Sequence, residues 1–305
     1  MKVLMTGADG FIGSNVLEFL LEHTDWDFTC ICSWRHKGNP LNVKPDPRVH
    51  IVTHDLTGVI PDLGNFDYIL NLASESHVDR SISEPVHFVE NNVSSTLQVL
   101  EYARKHKPKV FIQFSTDEVY GATNHAEWDV LLPSNPYSAS KAAQEMIAIA
   151  YWKTYGLPIV ITNSNNIVGR NQDPEKFVPK IVRLIRDGKQ VIIHTSKGKP
   201  GTRYYNPVEN VADALLFIIN NYPFKKLQKD RPTRFNLPGG EELNNLEMAK
   251  LIAQQLKKPL KYKLVDVASI RPGYDEFYPK TAGEITKLGW KPPLTLQKSL
   301  EWLTT

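Results

Sequence analysis

Ser115-Thr116-Asp117-Glu118-Val119-Tyr120-Gly121 closes an apolar run, and Tyr137-Ser138-Ala139-Ser140-Lys141 follows a short way on. A hydroxyl, two adjacent carboxylates, a tyrosine and a lysine are side chains that move protons. Tyr137 and Lys141 stand at i and i+4 of a helical stretch and so share one face. The ammonium is expected to lower the phenol's pKa and make Tyr137 a base near neutral pH. On an extended segment Asp117 and Glu118 point to opposite sides, so one is expected to give a proton and the other to take one. Loop carboxylates that only cap a helix are the blander reading, which the neighbouring tyrosine and lysine disfavour.

Residues so spaced converge only if strands deliver them to a common edge. Lys2-Val3-Leu4-Met5-Thr6 reads as a strand, followed by Gly7-Ala8-Asp9-Gly10-Phe11-Ile12-Gly13 and a stretch with helical spacing at Val16, Leu17, Leu20 and Leu21. Strand, glycine turn and helix form the context of a phosphate cradle. By analogy with dinucleotide folds, Gly7 allows the sharp turn, Gly10 the approach of a pyrophosphate and Gly13 close packing of helix on strand, with Phe11 and Ile12 opening the helix. The spacing is G-x-x-G-x-x-G, and plain turn glycines are the alternative. Further strands are predicted at 28–32, 49–53, 67–72, 109–114 and 159–162, with helices at 84–107 and 136–155, the second begun by Asn135-Pro136. Alternating strands and helices imply a doubly wound parallel α/β sheet. Beyond residue 165 the rhythm loosens. Helices at 174–187, 208–221, 243–256 and 295–303, and strands at 191–193 and 234–237, suggest a smaller C-terminal α+β lobe.

The strand ends carry candidates for holding a dinucleotide. After the second strand stand Ser33-Trp34-Arg35-His36-Lys37, with no carboxylate between Thr29 and Pro45. A carboxylate there usually bonds the adenosine ribose, whereas a cation accommodates a 2′-phosphate. Arg35, with Lys37 and Ser33, therefore leans the reading towards NADP, with NAD kept open. Asp55-Leu56 after the third strand is a place for an adenine, unless Asp55 is only a cap. Leu72, Ala73 and Ser74 end the fourth strand with small residues that leave room for ribose and phosphates.

Composition narrows the classes. A net charge of +3 on 305 residues is too mild to argue for nucleic acid and suits an anionic small molecule. Cys30 and Cys32 are expected to face opposite sides of a strand and not to bridge, as in a reduced, cytoplasmic protein. No leader pattern, membrane span or metal site is expected.

With these motifs placed, the chain resembles the extended short-chain dehydrogenase/reductase family and, within it, the nucleotide-sugar 4,6-dehydratases of the dTDP-glucose type. The resemblance rests on the glycine turn, the run Ala73 to Ile82, Thr116-Asp117-Glu118, Tyr137 with Lys141, Pro174-Glu175-Lys176, Arg271-Pro272-Gly273 and Leu288-Gly289-Trp290. It implies a Rossmann domain at 1–165, rejoined by about 204–222, and a sugar-nucleotide lobe formed by 166–203 and 223–305. It also implies that Tyr137, with Lys141 and Thr116, takes the C4 hydroxyl proton while hydride leaves C4, that Glu118 takes the C5 proton, and that Asp117 protonates the departing C6 hydroxyl. Ser76, Asn166, Lys176, Phe177, Arg203, Asn236 and Arg271 match positions that hold the sugar nucleotide, and the long helices 84–107 and 136–155 match a homodimer contact. Tyr204-Tyr205 replaces a usual Asp-Trp pair, so the chemistry is better specified than the sugar. An epimerase or 4-reductase of the same family, and a non-catalytic dinucleotide sensor, are the competing readings; the paired carboxylates speak against the first and the retained Tyr137 and Lys141 against the second.

Overall fold

The computed structural model describes residues 1–34, 38–123, 125–224, 230–266 and 283–304. β1 (Lys2–Thr6) runs through the glycine turn into α1 (Phe11–His23), followed by β2 (Asp27–Cys32), β3 (Val49–Thr53) and β4 (Tyr68–Asn71). Two helices, α2 (Val78–Ser83) and α3 (Pro85–His106), lead to β5 (Val110–Thr116), and α4 (Pro136–Tyr155) leads to β6 (Ile159–Ser164). The lobe begins with β7 (Asn166–Val168), α5 (Phe177–Arg186), β8 (Val191–Ser196), β9 (Lys199–Pro200) and β10 (Thr202–Pro207). After α6 (Val208–Asn221) and β11 (Thr233–Leu237) come β12 (Glu241–Asn244), α7 (Asn245–Gln255), β13 (Tyr262–Asp266), α8 (Glu284–Lys287) and α9 (Leu296–Ser299).

The large sheet has seven strands in the order β11-β6-β5-β4-β1-β2-β3, and every pairing in it is parallel. Side chains alternate between its faces, as the strand period of two demands. Val3 and Met5 of β1 enter one core with α1 and α6, whereas Leu4 enters the opposite core with α3 and α4. Each fully buried Val, Leu, Ile or Phe contributes roughly 1.5–3 kcal/mol relative to exposure, so both faces are tied down by helices. The strand order reverses direction between β1 and β4, and a doubly wound sheet opens its ligand crevice beyond the C-terminal strand ends at that point. Two small mixed sheets, β12-β10-β7 and β13-β8-β9, build the lobe around a third core that includes Val178, Ile181, Ile193, Tyr205 and Ile252.

Three sequence expectations are corrected. Residues 234–237, assigned to the lobe, form the edge strand of the large sheet, paired in parallel with β6; Phe235 and Leu237 join the core beneath α6, a destination invisible while a whole lobe intervenes in sequence. Cys30 and Cys32 face one layer rather than two, because positions i and i+2 of a strand share a face; both are free thiols. The helix expected from residue 84 has a further helix before it, α2, capped by the His77 side chain, which accepts from the Arg80 amide. The helix starting at Pro136 is as expected: Asn135 and Ser138 form a reciprocal cap, and Gly156 ends it in the left-handed region.

Candidate active site

A cleft of ≈ 520 Å³ lies over the β1/β4 reversal. Gly7, Gly10, Phe11, Ile12 and Gly13 form its floor. Gly7 has φ +71°, and a Cβ on it would sit 2.9 Å from the backbone of Ala73; a Cβ on Gly13 would overlap the Gly7 carbonyl. Only glycine lets the turn fold back on the helix start, and the first-turn amides of α1 are left facing the cleft as an anion cradle. Ser33 after β2 lies on the cleft wall, as do Asp55 and Leu56 after β3 and Leu72, Ala73 and Ser74 after β4. Asp55 also accepts from the Thr57 amide and hydroxyl, so it shapes its own turn while facing the cleft. The other end is lined by Tyr137 and Lys141. Ser76 and Lys176 meet at the cleft wall, where the Lys176 ammonium donates to the Ser76 carbonyl at 2.7 Å.

The catalytic candidates are held tightly. Thr116 ends β5, and its hydroxyl accepts from the Glu118 amide, which turns Asp117 and Glu118 into one 3₁₀ turn rather than the extended segment expected. The two carboxylates still part company: Asp117 is 2% exposed, whereas Glu118 is half-buried. Asp117 accepts from the Asn165 amide group at 2.8 Å and from the Thr116 hydroxyl at 3.2 Å. Burial, then the Glu118 charge, lift its carboxyl to about 7, against those two hydrogen bonds and the Arg203 charge. A carboxyl so raised can hold a proton near neutral pH.

The tyrosine and lysine differ from expectation. The Lys141 ammonium, 4% exposed, donates to the Phe114 carbonyl at 2.7 Å, since a buried cation takes the nearest strong acceptor. Burial draws it down to about 8, with Glu145 opposing. The Tyr137 phenol is pushed up by burial and then by the Glu118 charge, and drawn down by its hydrogen bond with Thr116. The expected lowering by Lys141 is thus absent from this arrangement, although both side chains share the helix face.

Residues the sequence reading missed hold this centre from below. Asn163 donates to the Thr116 carbonyl at 3.1 Å and to Glu145 at 2.6 Å. Glu145 in turn pairs with Arg234 of β11 at 2.6 Å, with side chains 0% and 2% exposed. Asn165 accepts from the Gly239 amide, which fixes the amide group that serves Asp117. The polar run Asn163-Ser164-Asn165-Asn166 at the end of an apolar strand was the available signal. Among the substrate candidates, Asn166 lies in β7 opposite Tyr205, Phe177 opens α5 against the lobe core, and Arg203 in β10 is near enough for its charge to act on Asp117. Asn236 is fully buried in β11, where it accepts from the Tyr120 hydroxyl, so it sits inside the sheet and not on the cleft. Arg35 and Arg271 lie outside the described residues.

The raised Asp117 carboxyl makes stability depend on pH. The folded state holds the proton more tightly than the unfolded chain, whose carboxyl titrates near 3.8. That stabilisation is complete below 3.8 and lost as pH rises through about 7. Asp117→Asn, which mimics the protonated acid, is expected to need more urea than wild type to unfold above neutrality, by on the order of 2–4 kcal/mol, and to show no such gain in acid. A pH-independent difference would place the proton elsewhere.

A doubly wound sheet, a glycine phosphate cradle and a Tyr/Lys pair at the far end of one cleft define a dinucleotide-binding α/β enzyme. Residues 3–236 match the NAD dependent epimerase/dehydratase family, and the chain belongs to it. It is 32% identical over 99% of its length to the low-salt glycan biosynthesis protein Agl12 of Haloferax volcanii, covering 96% of that protein. It is likewise 32% identical to the dTDP-glucose 4,6-dehydratase of Salmonella typhimurium, over 99% of this chain and 92% of that one. Among solved structures, DesIV, the dTDP-glucose 4,6-dehydratase of Streptomyces venezuelae with NAD and TYD bound, superposes with a TM-score of 0.87 at 29% identity, over 99% of this chain and 95% of that one. The protein is accordingly an NAD(P)-dependent enzyme of nucleotide sugars. The lean towards NADP finds no support, since that neighbour carries NAD. No helix among the described residues is long and apolar enough to cross a membrane.

Proposed function

We propose that the protein is a nucleotide-sugar 4,6-dehydratase that converts a dTDP-glucose-like substrate to its 4-keto-6-deoxy form. The observation that carries this reading is the pair of unlike carboxylates beside Tyr137: Asp117, buried and holding its proton near neutral pH, next to the half-buried Glu118. Epimerisation or reduction at C4 needs no such pair.

A bound nicotinamide dinucleotide supplies a hydride acceptor and donor that is regenerated within one turnover. The residues present fit it: the glycine cradle takes the pyrophosphate, and Ala73 and Ser74 leave room along β4. Tyr137 removes the C4 hydroxyl proton. Its phenol is raised by burial, so it needs cationic and hydroxyl help; Thr116 already hydrogen-bonds it, and Lys141, one turn along the same helix, supplies the rest on turning from the Phe114 carbonyl. The resulting C4 ketone acidifies C5–H, Glu118 takes that proton, and Asp117 delivers its own to the C6 hydroxyl, which leaves as water; Glu118 then gives its proton back at C5 as the sugar recovers its hydride at C6. Lys176 and Arg203 meet the diphosphate as cations. The protein acts in the cytoplasm as a homodimer joined through α3 and α4, whose faces expose Val86, Leu97 and Met146; light scattering reads that state directly.

Incubating the purified protein with dTDP-glucose, and in parallel with UDP-glucose, should give a product lighter by one water without net consumption of dinucleotide. A product of unchanged mass, with the C4 configuration inverted, would replace this reading by the epimerase.

A further inference from the structure

The end of β2 lacks a carboxylate in sequence, yet the folded protein brings one there. Asp9, in the middle of the glycine turn, lines the cleft together with Gly10 and Ser33. Its side chain reaches across to the C-terminal end of β2, where it hydrogen-bonds the Cys32 thiol and the Trp34 backbone. It is only 5% exposed. Its own carbonyl accepts from the Asn39 amide at 3.0 Å and from the Asn42 side chain at 2.9 Å, which pins residues 39–42 to the turn. The carboxyl is thus fixed on both sides, in the place where dinucleotide folds recognise the adenosine ribose.

We propose that Asp9, supplied by the glycine turn instead of β2, is the carboxylate that bonds the adenosine ribose hydroxyl and selects NAD over its 2′-phosphorylated form. A carboxylate accepts a hydrogen bond from a 2′-hydroxyl but repels a 2′-phosphate, which carries a like charge, and with water largely excluded that repulsion is poorly screened. Burial raises the Asp9 carboxyl above its ordinary range, so a hydroxyl donor offsets part of its desolvation. The assignment rests on the dinucleotide reading of the cleft given above.

The test is binding, independent of turnover. Purified protein stripped of bound dinucleotide is titrated with NAD and with NADP by calorimetry, as wild type, Asp9→Asn and Asp9→Ala. Wild type is expected to favour NAD by at least roughly tenfold, and Asp9→Ala to weaken NAD by roughly tenfold to a hundredfold, the range for one charge-assisted hydrogen bond. Asp9→Asn, which keeps the shape of the turn, should narrow the NAD/NADP ratio through tighter NADP binding. A wild-type preference for NADP, or variants that leave the ratio unchanged while NAD still binds, overturns the Asp9 assignment alone. Failure of wild type to bind either dinucleotide overturns the dinucleotide reading along with it.

Discussion

Glu118→Gln is expected to halt the reaction after its first half. The amide cannot take the C5 proton, whereas Tyr137, Thr116 and Lys141 are left in place to assist loss of the C4 hydroxyl proton. The variant should accumulate reduced dinucleotide with substrate, seen by its near-ultraviolet absorbance, and form 4-keto-6-deoxy product about 10²–10⁴-fold more slowly, the range lost with a general base. Product formation at the wild-type rate would assign the base to another residue. Loss of the reduced-dinucleotide signal as well would mean that Glu118 acts on the oxidation step, through the charge it exerts on Tyr137.

The largest effect on stability is expected from Arg234→Met. Arg234 is 3% exposed; it pairs with Glu145 at 2.6 Å, donates to the Glu127 carbonyl at 2.9 Å and lies over the Trp128 ring at 4.4 Å. Removing it takes the paired cation from a buried carboxylate, leaving Glu145 only the charge of Lys141, which costs about 3–5 kcal/mol. Because Asn163 bridges Glu145 to the Thr116 carbonyl, the loss should reach the catalytic turn too. Adding Glu145→Leu removes the stranded charge and should recover much of the stability, as exchanging a buried pair for apolar residues often does. Urea unfolding of the single and double variants decides this: a single variant within about 1 kcal/mol of wild type would mean that water or another cation reaches Glu145.

How far such effects could be read from the chain depends on the range of the interaction behind them. The glycine turn, the strand and helix rhythm to residue 164 and the cap at Asn135 were legible because they are local: a turn needs its own glycines, a strand repeats every two residues, and a helix places Tyr137 and Lys141 one turn apart. The same local logic named Ser33, Asp55, Leu72, Ala73 and Ser74, all of which line one cleft, since strand ends in a parallel sheet share an edge. It failed where direction within a shared face mattered. Tyr137 and Lys141 do lie on one face, yet the ammonium is turned to the Phe114 carbonyl, a choice made by a strand that the spacing does not contain.

The sequence by itself determined the set of reactive side chains and the sheet edge to which they are delivered, because both follow from covalent order and backbone period. The tertiary structure alone decided which of them hold protons and which partners fix them. The Asp117 carboxyl is raised to about 7 because burial removes the water that would stabilise its charge. It is oriented by Asn165, 48 residues further along the chain. Arg234 returns to the large sheet after the whole lobe has intervened and neutralises Glu145. Asp9 reaches the end of β2 because β1 and β2 are neighbours in the sheet. Desolvation and contacts between distant segments exist only once the chain has folded, and they set the proton affinities and side-chain partners on which the proposed chemistry depends.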